Sequence, residues 1–203
     1  MKAITFVLFS ILLAMQASAQ EQTLISGQIE SGGFGGPEIS FSQINGHFGI
    51  LVGGYGGWYI NHTFMIGGGG YGLVNDITAP LAARTFYNAG NDLRINFGYG
   101  GLVLEYVGLS DNLVHYSIST LIGAGGVGYG YRNNYSNNWN DNSPTSAVFV
   151  LEPKIGVELN VTPFFRIGGG GSYRLVRGSN LVGIEDSDLS DGSLYLAFKF
   201  GKF

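Results

Sequence analysis

From residue 37 onward the chain is built of runs in which apolar residues alternate with polar or small ones. The alternation is clearest in 147–160, where Phe149, Leu151, Ile155, Val157 and Leu159 share one parity and Glu152, Lys154 and Glu158 the other. A β-strand sends successive side chains to opposite faces, so this pattern predicts a strand with one apolar and one polar face. In 113–131, Val114, Tyr116, Ile118 and Ile122 oppose His115, Ser117 and Ser119; in 164–175, Phe165 and Ile167 oppose Arg166, Ser172 and Arg174. Eight strands are predicted in all, over 37–44, 47–60, 63–73, 93–107, 113–131, 147–160, 164–175 and 193–203. Pro153 falls on the apolar set of its run and has no N–H for a ladder, so a local bulge is expected there. The stretch from Thr63 to Tyr71 is echoed from Phe164 to Tyr173, and more loosely from Leu121 to Tyr129, which reads as recurrence of a hairpin unit.

The links between these runs fall into two kinds. Those at Asn61-His62, Gly108 to Asn112 and Val161 to Pro163 are short, whereas 74–92, 132–146 and 176–192 are long and Asn45-Gly46 is a tight hairpin. Short and long links therefore sit at opposite ends. No run beyond the first residues has the ~18 consecutive apolar residues of a membrane helix, so a bilayer-spanning form requires strands closed into a barrel. In such barrels the short turns face the periplasm and the long loops the outside. That topology gathers Trp58, Phe64, Tyr106, Tyr116, Phe165 and Phe203 at the periplasmic end, as an aromatic girdle.

The first 19 residues read as a secretory signal: Lys2, the apolar run Ile4 to Met15, then Ala17-Ser18-Ala19. The expected organisation is a signal peptide over 1–19, a polar, glycine-rich periplasmic lead-in over 20–36 and a barrel over 37–203. Charged residues make up only 12% of the chain, and 35 of its 203 residues are glycine. Ordinary soluble proteins carry about 25% charged residues, so little of this surface is expected to face water. The formal net charge is −4, without a basic patch, which removes nucleic acid as a partner. The absence of cysteine excludes disulfides, thiolate metal sites and thiol nucleophiles.

Signal, eight alternating runs, loop asymmetry and the last ten residues LYLAFKFGKF together resemble the small eight-stranded outer-membrane barrels of the OmpA/OmpX type. The resemblance implies an all-β, antiparallel, up-and-down transmembrane barrel in the cell outer membrane, partnered by outer-membrane lipid and the barrel-insertion machinery. The final strand departs from the pattern in one respect. Phe198 and Phe200 belong to its apolar set, but Phe203 shares parity with Tyr195, Ala197, Lys199 and Gly201. Either a bulge near Gly201 resets the register or Phe203 lies beyond the lipid band.

Candidate chemistry is sparse. Gly67 to Gly72 and Gly123 to Gly128 match the spacing G-x-G-x-x-G, but a strand pattern follows the second where a nucleotide site needs a helix. Arg94, Glu152, Lys154, Glu158, Arg166, Arg174 and Lys199 are expected to face the lumen. An eight-stranded barrel is just wide enough for side chains to fill, so these charges should interlock as a plug and not line a channel. His115 with Ser117 and a lumen glutamate has the outline of a hydrolytic set, yet lies at the periplasmic end and lacks a G-x-S-x-G elbow, so His115 is read as a hydrogen-bonded lumen residue. The loop Asn133 to Asn142 and the acidic group Glu185, Asp186, Asp188 and Asp191 read as solvated loop, without an EF-hand pattern.

The function expected is non-enzymatic, structural or exerted on an external ligand through loops 132–146 and 176–192, with no cofactor. The competing readings are a soluble, secreted lipocalin-like ligand-binding barrel, a narrow pore and a lipid-modifying enzyme.

Overall fold

A computed structural model describes residues 31–131 and 144–203; the loop Asn133 to Asn142 and the segment 1–30 lie outside the described residues. Eight antiparallel strands run in chain order: β1 (Ser31–Ile44), β2 (His47–Ile60), β3 (Phe64–Leu73), β4 (Leu93–Gly108), β5 (Val114–Tyr131), β6 (Thr145–Thr162), β7 (Phe165–Arg177) and β8 (Asp191–Lys202). Each pairs with its neighbours in sequence and β1 pairs with β8, which closes the barrel. No helix among the described residues is long and apolar enough to cross a membrane.

Three expectations about the strands need correction. First, β1 begins at Ser31, so residues 31–36 are part of the barrel wall and not of a lead-in; they pair with β2 from Ser31↔Ile60 and with β8 from Gly33↔Lys202. The glycines that resembled a flexible lead-in serve close approach instead: a Cβ on Gly36 would stand 1.7 Å from the carbonyl oxygen of Phe198. Second, Pro153 causes no bulge. The β6–β7 ladder skips residues 152 and 153 and resumes in the same register, from Leu151↔Leu175 to Lys154↔Ser172, while the irregularity lies at Asn160/Thr162. Third, of the two alternatives for Phe203 the bulge near Gly201 is removed, since β8 keeps one register against β1 from Gly33↔Lys202 to Phe41↔Leu194.

The side chains divide by parity. Outward positions carry exposed Phe41, Ile66, Leu104, Ile118, Ile155, Leu196 and Phe200, while inward positions bury Glu38, Glu105, Glu152, Glu158, Lys154, Lys199, Arg166 and Arg174. The barrel is thus apolar outside and charged inside. Trp58, Phe64, Tyr106 and Tyr116 are exposed on the outer face at the short-turn end, with Phe64 and Tyr106 rings 5.2 Å apart. Phe165 joins them, stacked 4.7 Å from Phe200.

Two long loops fold back over the other end. One carries α1 (Leu81–Phe86), the other α2 (Asp186–Leu189). Ile77, Ala79, Ala83, Leu181, Ile184 and Leu189 from these loops are buried with Ile95, Phe97, Val127, Tyr129, Val148, Val150 and Val176 from the strands. The first loop is tied to β4 by Ala79 N–H to Leu93 O (2.9 Å) and Ile95 N–H to Ile77 O (2.9 Å). The second is tied to β5 by the Tyr129 hydroxyl, which donates to Val182 O at 2.7 Å. At Gly183 the two loops meet, since a Cβ there would lie 3.1 Å from Pro80 Cγ. An apolar cap therefore closes over the long-loop end.

Candidate functional site: the charged lumen

Period-two alternation in five strands delivers the interior charges: Glu38 from β1, Glu105 from β4, Glu152, Lys154 and Glu158 from β6, Arg166 and Arg174 from β7, and Lys199 from β8. Among the described residues four buried carboxylates face four buried cations, so the interior is balanced in formal charge. A buried charge without a partner costs several kcal/mol, and all of these but Arg174 have an opposite charge within 4.0 Å.

Nearest the short turns, the Lys199 ammonium donates to Glu105 Oε1 at 2.8 Å and to Glu158 Oε1 at 2.5 Å. Glu105 also accepts from the hydroxyls of Tyr59 (2.5 Å) and Tyr55 (3.2 Å). Glu158 Oε2 faces His115 Nε2 at 3.3 Å and an Arg166 Nη1 at 4.0 Å. Higher in the lumen, Lys154 donates to Glu38 Oε1 at 2.5 Å, lies 3.1 Å from the Tyr71 hydroxyl and sits 3.9 Å from Glu152. Glu152 in turn accepts from Tyr99 and Ser172, both at 2.7 Å. Arg174 tops the stack: it donates to Leu189 O (2.8 Å), Gln43 O (3.2 Å) and Ser42 Oγ (3.3 Å), with its guanidinium 5.3 Å from the Phe97 ring.

Tyrosines fill the remaining width, and glycine makes room for them. Tyr55 stands opposite Gly69 and Tyr99 opposite Gly125 in the ladders, and a Cβ on Gly156 would come within 2.1 Å of the Tyr195 hydroxyl. Glycine in a strand lets another group lie against bare backbone, which is the use made here of the two G-x-G-x-x-G stretches on β3 and β5. Tyr55, Tyr71, Val103, Ser119, Leu121 and Lys154 leave no space for a water molecule between them.

Of the seven charges expected to face inward, Glu152, Lys154, Glu158, Arg166, Arg174 and Lys199 converge in the lumen. Arg94 does not. It lies half-buried on the outer-face parity of β4, between inward Leu93 and Ile95, and its guanidinium donates to Thr78 Oγ1 and to Asn91 O. The reason is local: the lumen beside this part of β4 is apolar, so the usual assignment of the polar set to the inside reverses. Glu38 and Glu105 join the set without having been expected there, although each is flanked by outward apolar residues, Pro37 and Ile39 in one case, Leu104 and Tyr106 in the other. His115 is a buried lumen residue, with Nδ1 3.2 Å from Asn112 O in the β4–β5 turn.

Phe198 and Phe200 lie on the outer-face parity of β8, but Phe203 turns in. Its ring lies 5.9 Å from Phe34, 6.2 Å from Tyr59 and 4.0 Å from the Arg166 guanidinium, beneath the Lys199 cluster. It is not part of the girdle. The acidic loop residues have a structural use: Asp188 accepts from the Glu185 N–H (2.8 Å) in a capping box on α2, and Asp186 accepts from the Ser179 N–H (2.8 Å). Among the described residues no three His, Asp or Glu side chains converge as a metal site.

The architecture is that of the small outer-membrane β-barrels. The chain is similar to Neisserial surface protein A, with a TM-score of 0.60 and 13% identity over 87% of this chain and 100% of that one. It is also similar to the N-terminal β-barrel domain of Pseudomonas aeruginosa OprF, with a TM-score of 0.50 and 12% identity over 86% of this chain and 99% of that domain. No family model matches the chain, and no curated protein does. At these identities the likeness is one of fold.

Proposed function

We propose that this chain is a non-enzymatic β-barrel of the bacterial outer membrane, exported by its signal segment, whose lumen is closed and whose role is structural or exerted through its outer loops. The observation that carries the reading is the inverted polarity of the wall. A soluble ligand-binding barrel needs a solvated outer face and an apolar cavity, whereas this barrel exposes Leu196, Ile155 and Phe200 outside and buries eight charges inside. Lipid supplies the solvent for that outer face. Insertion would engage the barrel-insertion machinery, with the short turns in the periplasm and loops 132–146 and 176–192 available to an external ligand.

Catalysis has little support. His115 is engaged by Asn112 O and faces Glu158 at the short-turn end, below a lumen filled with tyrosines. The test is fractionation with a gel of boiled and unboiled samples, followed by labelling of intact cells. The protein should partition with the outer membrane and migrate differently when unboiled. A cysteine at Ser187 should label with an impermeant reagent and one at Asp111 should not. Purified protein in planar bilayers should show no large steady conductance. A soluble periplasmic monomer, or reversed labelling, would overturn the reading.

A further inference from the structure

We infer that Phe203 is an intramolecular stopper that seals the lumen at the short-turn end, so that the charged interior is a compartment closed separately at its two ends. The inference rests on the closed-barrel reading above and adds to it the residue that closes this mouth. Three observations converge on the ring. It reaches Phe34 on β1, Tyr59 on β2 and Arg166 on β7, and so lies inside the mouth against the strands on both sides of β8. The strand parity commits it inward, because β8 holds an unbroken register and Lys199, two inward positions earlier, is 1% exposed. Gly201, between them, is where Phe34 needs room: a Cβ there would stand 2.7 Å from Phe34 Cβ and 2.1 Å from Gly33 O.

Arg166 gives the contact its chemistry. Its Nε and Nη1 have no hydrogen-bond partner, and the nearest carboxylate oxygen, on Glu158, is 4.0 Å away. The Phe203 ring centroid, 4.0 Å from the guanidinium carbon, is as near as that carboxylate, and a cation over an aromatic face is attracted most strongly where water is excluded. The arrangement does two things at once. It covers the underside of the Glu158–Lys199–Glu105 cluster, and it keeps water from the ions whose mutual attraction depends on its exclusion. The far mouth is closed by different means, the apolar cap, so loss of the stopper should wet only the near half.

The chain has no cysteine, so single thiols report access cleanly. Ser117→Cys places one on the inward face of β5 two residues from His115, and Val150→Cys places one under the cap; both positions are buried. In folded, detergent-solubilised protein both should resist a small thiol reagent. Adding Phe203→Ala should make Ser117→Cys react on the order of tenfold faster or more, the behaviour of a buried thiol given access, while Val150→Cys stays protected. Reaction of Ser117→Cys with Phe203 in place, or unchanged protection in Phe203→Ala, would overturn the stopper. If Val150→Cys also reacts in Phe203→Ala, the variant has loosened throughout, and Phe203→Leu decides. It restores protection of Ser117→Cys if bulk at this position is the seal, and failure to do so overturns the proposal. The unboiled gel band of the same samples reports barrel closure independently, so failure of the stopper is distinguishable from failure of the closed-barrel reading.

Discussion

The two halves of this lumen are held together by opposite means. Toward the short turns the interior is ionic, with Lys199, Glu105, Glu158 and Arg166 meeting across the barrel from β4, β6, β7 and β8. Toward the long loops it is a small hydrophobic core, in which Val150, Val176, Leu189 and Ala83 have no measurable exposure. Arg174 stands at the boundary, with its donors on Leu189 O and Gln43 O and its guanidinium over Phe97. The ionic half links strands distant in sequence, so its loss is felt by the closure of the barrel itself. The apolar half links loops to strands, so its loss can remain local.

The largest effect should follow from breaking the ionic half. Glu158→Ala leaves Lys199 with one carboxylate and Arg166 with none within ion-pair distance, and should cost about 3–5 kcal/mol, the range for removing one member of a buried pair. The measurement is the unfolding midpoint in detergent or lipid, read by the shift from the unboiled to the boiled gel position. A cluster variant with Lys199→Met, Arg166→Met, Glu105→Gln and Glu158→Gln should recover most of the loss, because no charge of this cluster is then stranded. Equal losses in the two variants would mean that packing, not ion pairing, dominates this half.

A different signature is expected from the cap. Leu189→Ala removes a fully buried side chain and should destabilise its surroundings by about 2–5 kcal/mol. The loss should appear as faster amide exchange in residues 178–190 and 74–92, which the cap joins, with the midpoint of barrel unfolding nearly unchanged. A midpoint that falls as far as for Glu158→Ala would show the two halves to be one cooperative unit.

The same contrast explains what could be read from the sequence. Most of the interior charge is legible in the sequence because it interrupts strongly apolar runs on strands whose outer neighbours are lipid-facing, as in Glu152, Lys154 and Glu158 between Leu151 and Leu159; Glu38 and Glu105 are the exceptions. Arg94 departs from expectation because the rule that polar residues face inward holds only where the interior is polar. Beside β4 at the long-loop end Leu93, Ile95, Phe97 and Tyr99 take the inside, and the outward positions are left to Arg94, Asn96 and Gly98. The cap itself had no periodic signal: Ile77, Ala79, Ala83, Leu181, Ile184 and Leu189 are scattered singly through loops, and their convergence depends on three-dimensional closure. The inward turn of Phe203 was foreshadowed by its parity with Lys199, but the partners Phe34 and Tyr59 come from a segment read as lead-in and from a distant strand.

The smallest effect concerns the acidic residues on the cap's outer surface, and it separates a helix-stabilising role from an ion-binding one. Asp188→Ala removes the acceptor for the Glu185 N–H and half of the capping box on α2, and should cost about 1 kcal/mol, confined to the second loop. Amide exchange at residues 185–190 should quicken while the barrel midpoint stays within error of the parent. Millimolar calcium should leave both quantities unchanged, since the carboxylates of Asp186 and Asp188 already accept backbone N–H groups. A calcium-dependent rise in cap protection that disappears in Asp188→Ala would instead make these loop carboxylates an ion site, and the cap would then owe its closure to more than its apolar contacts.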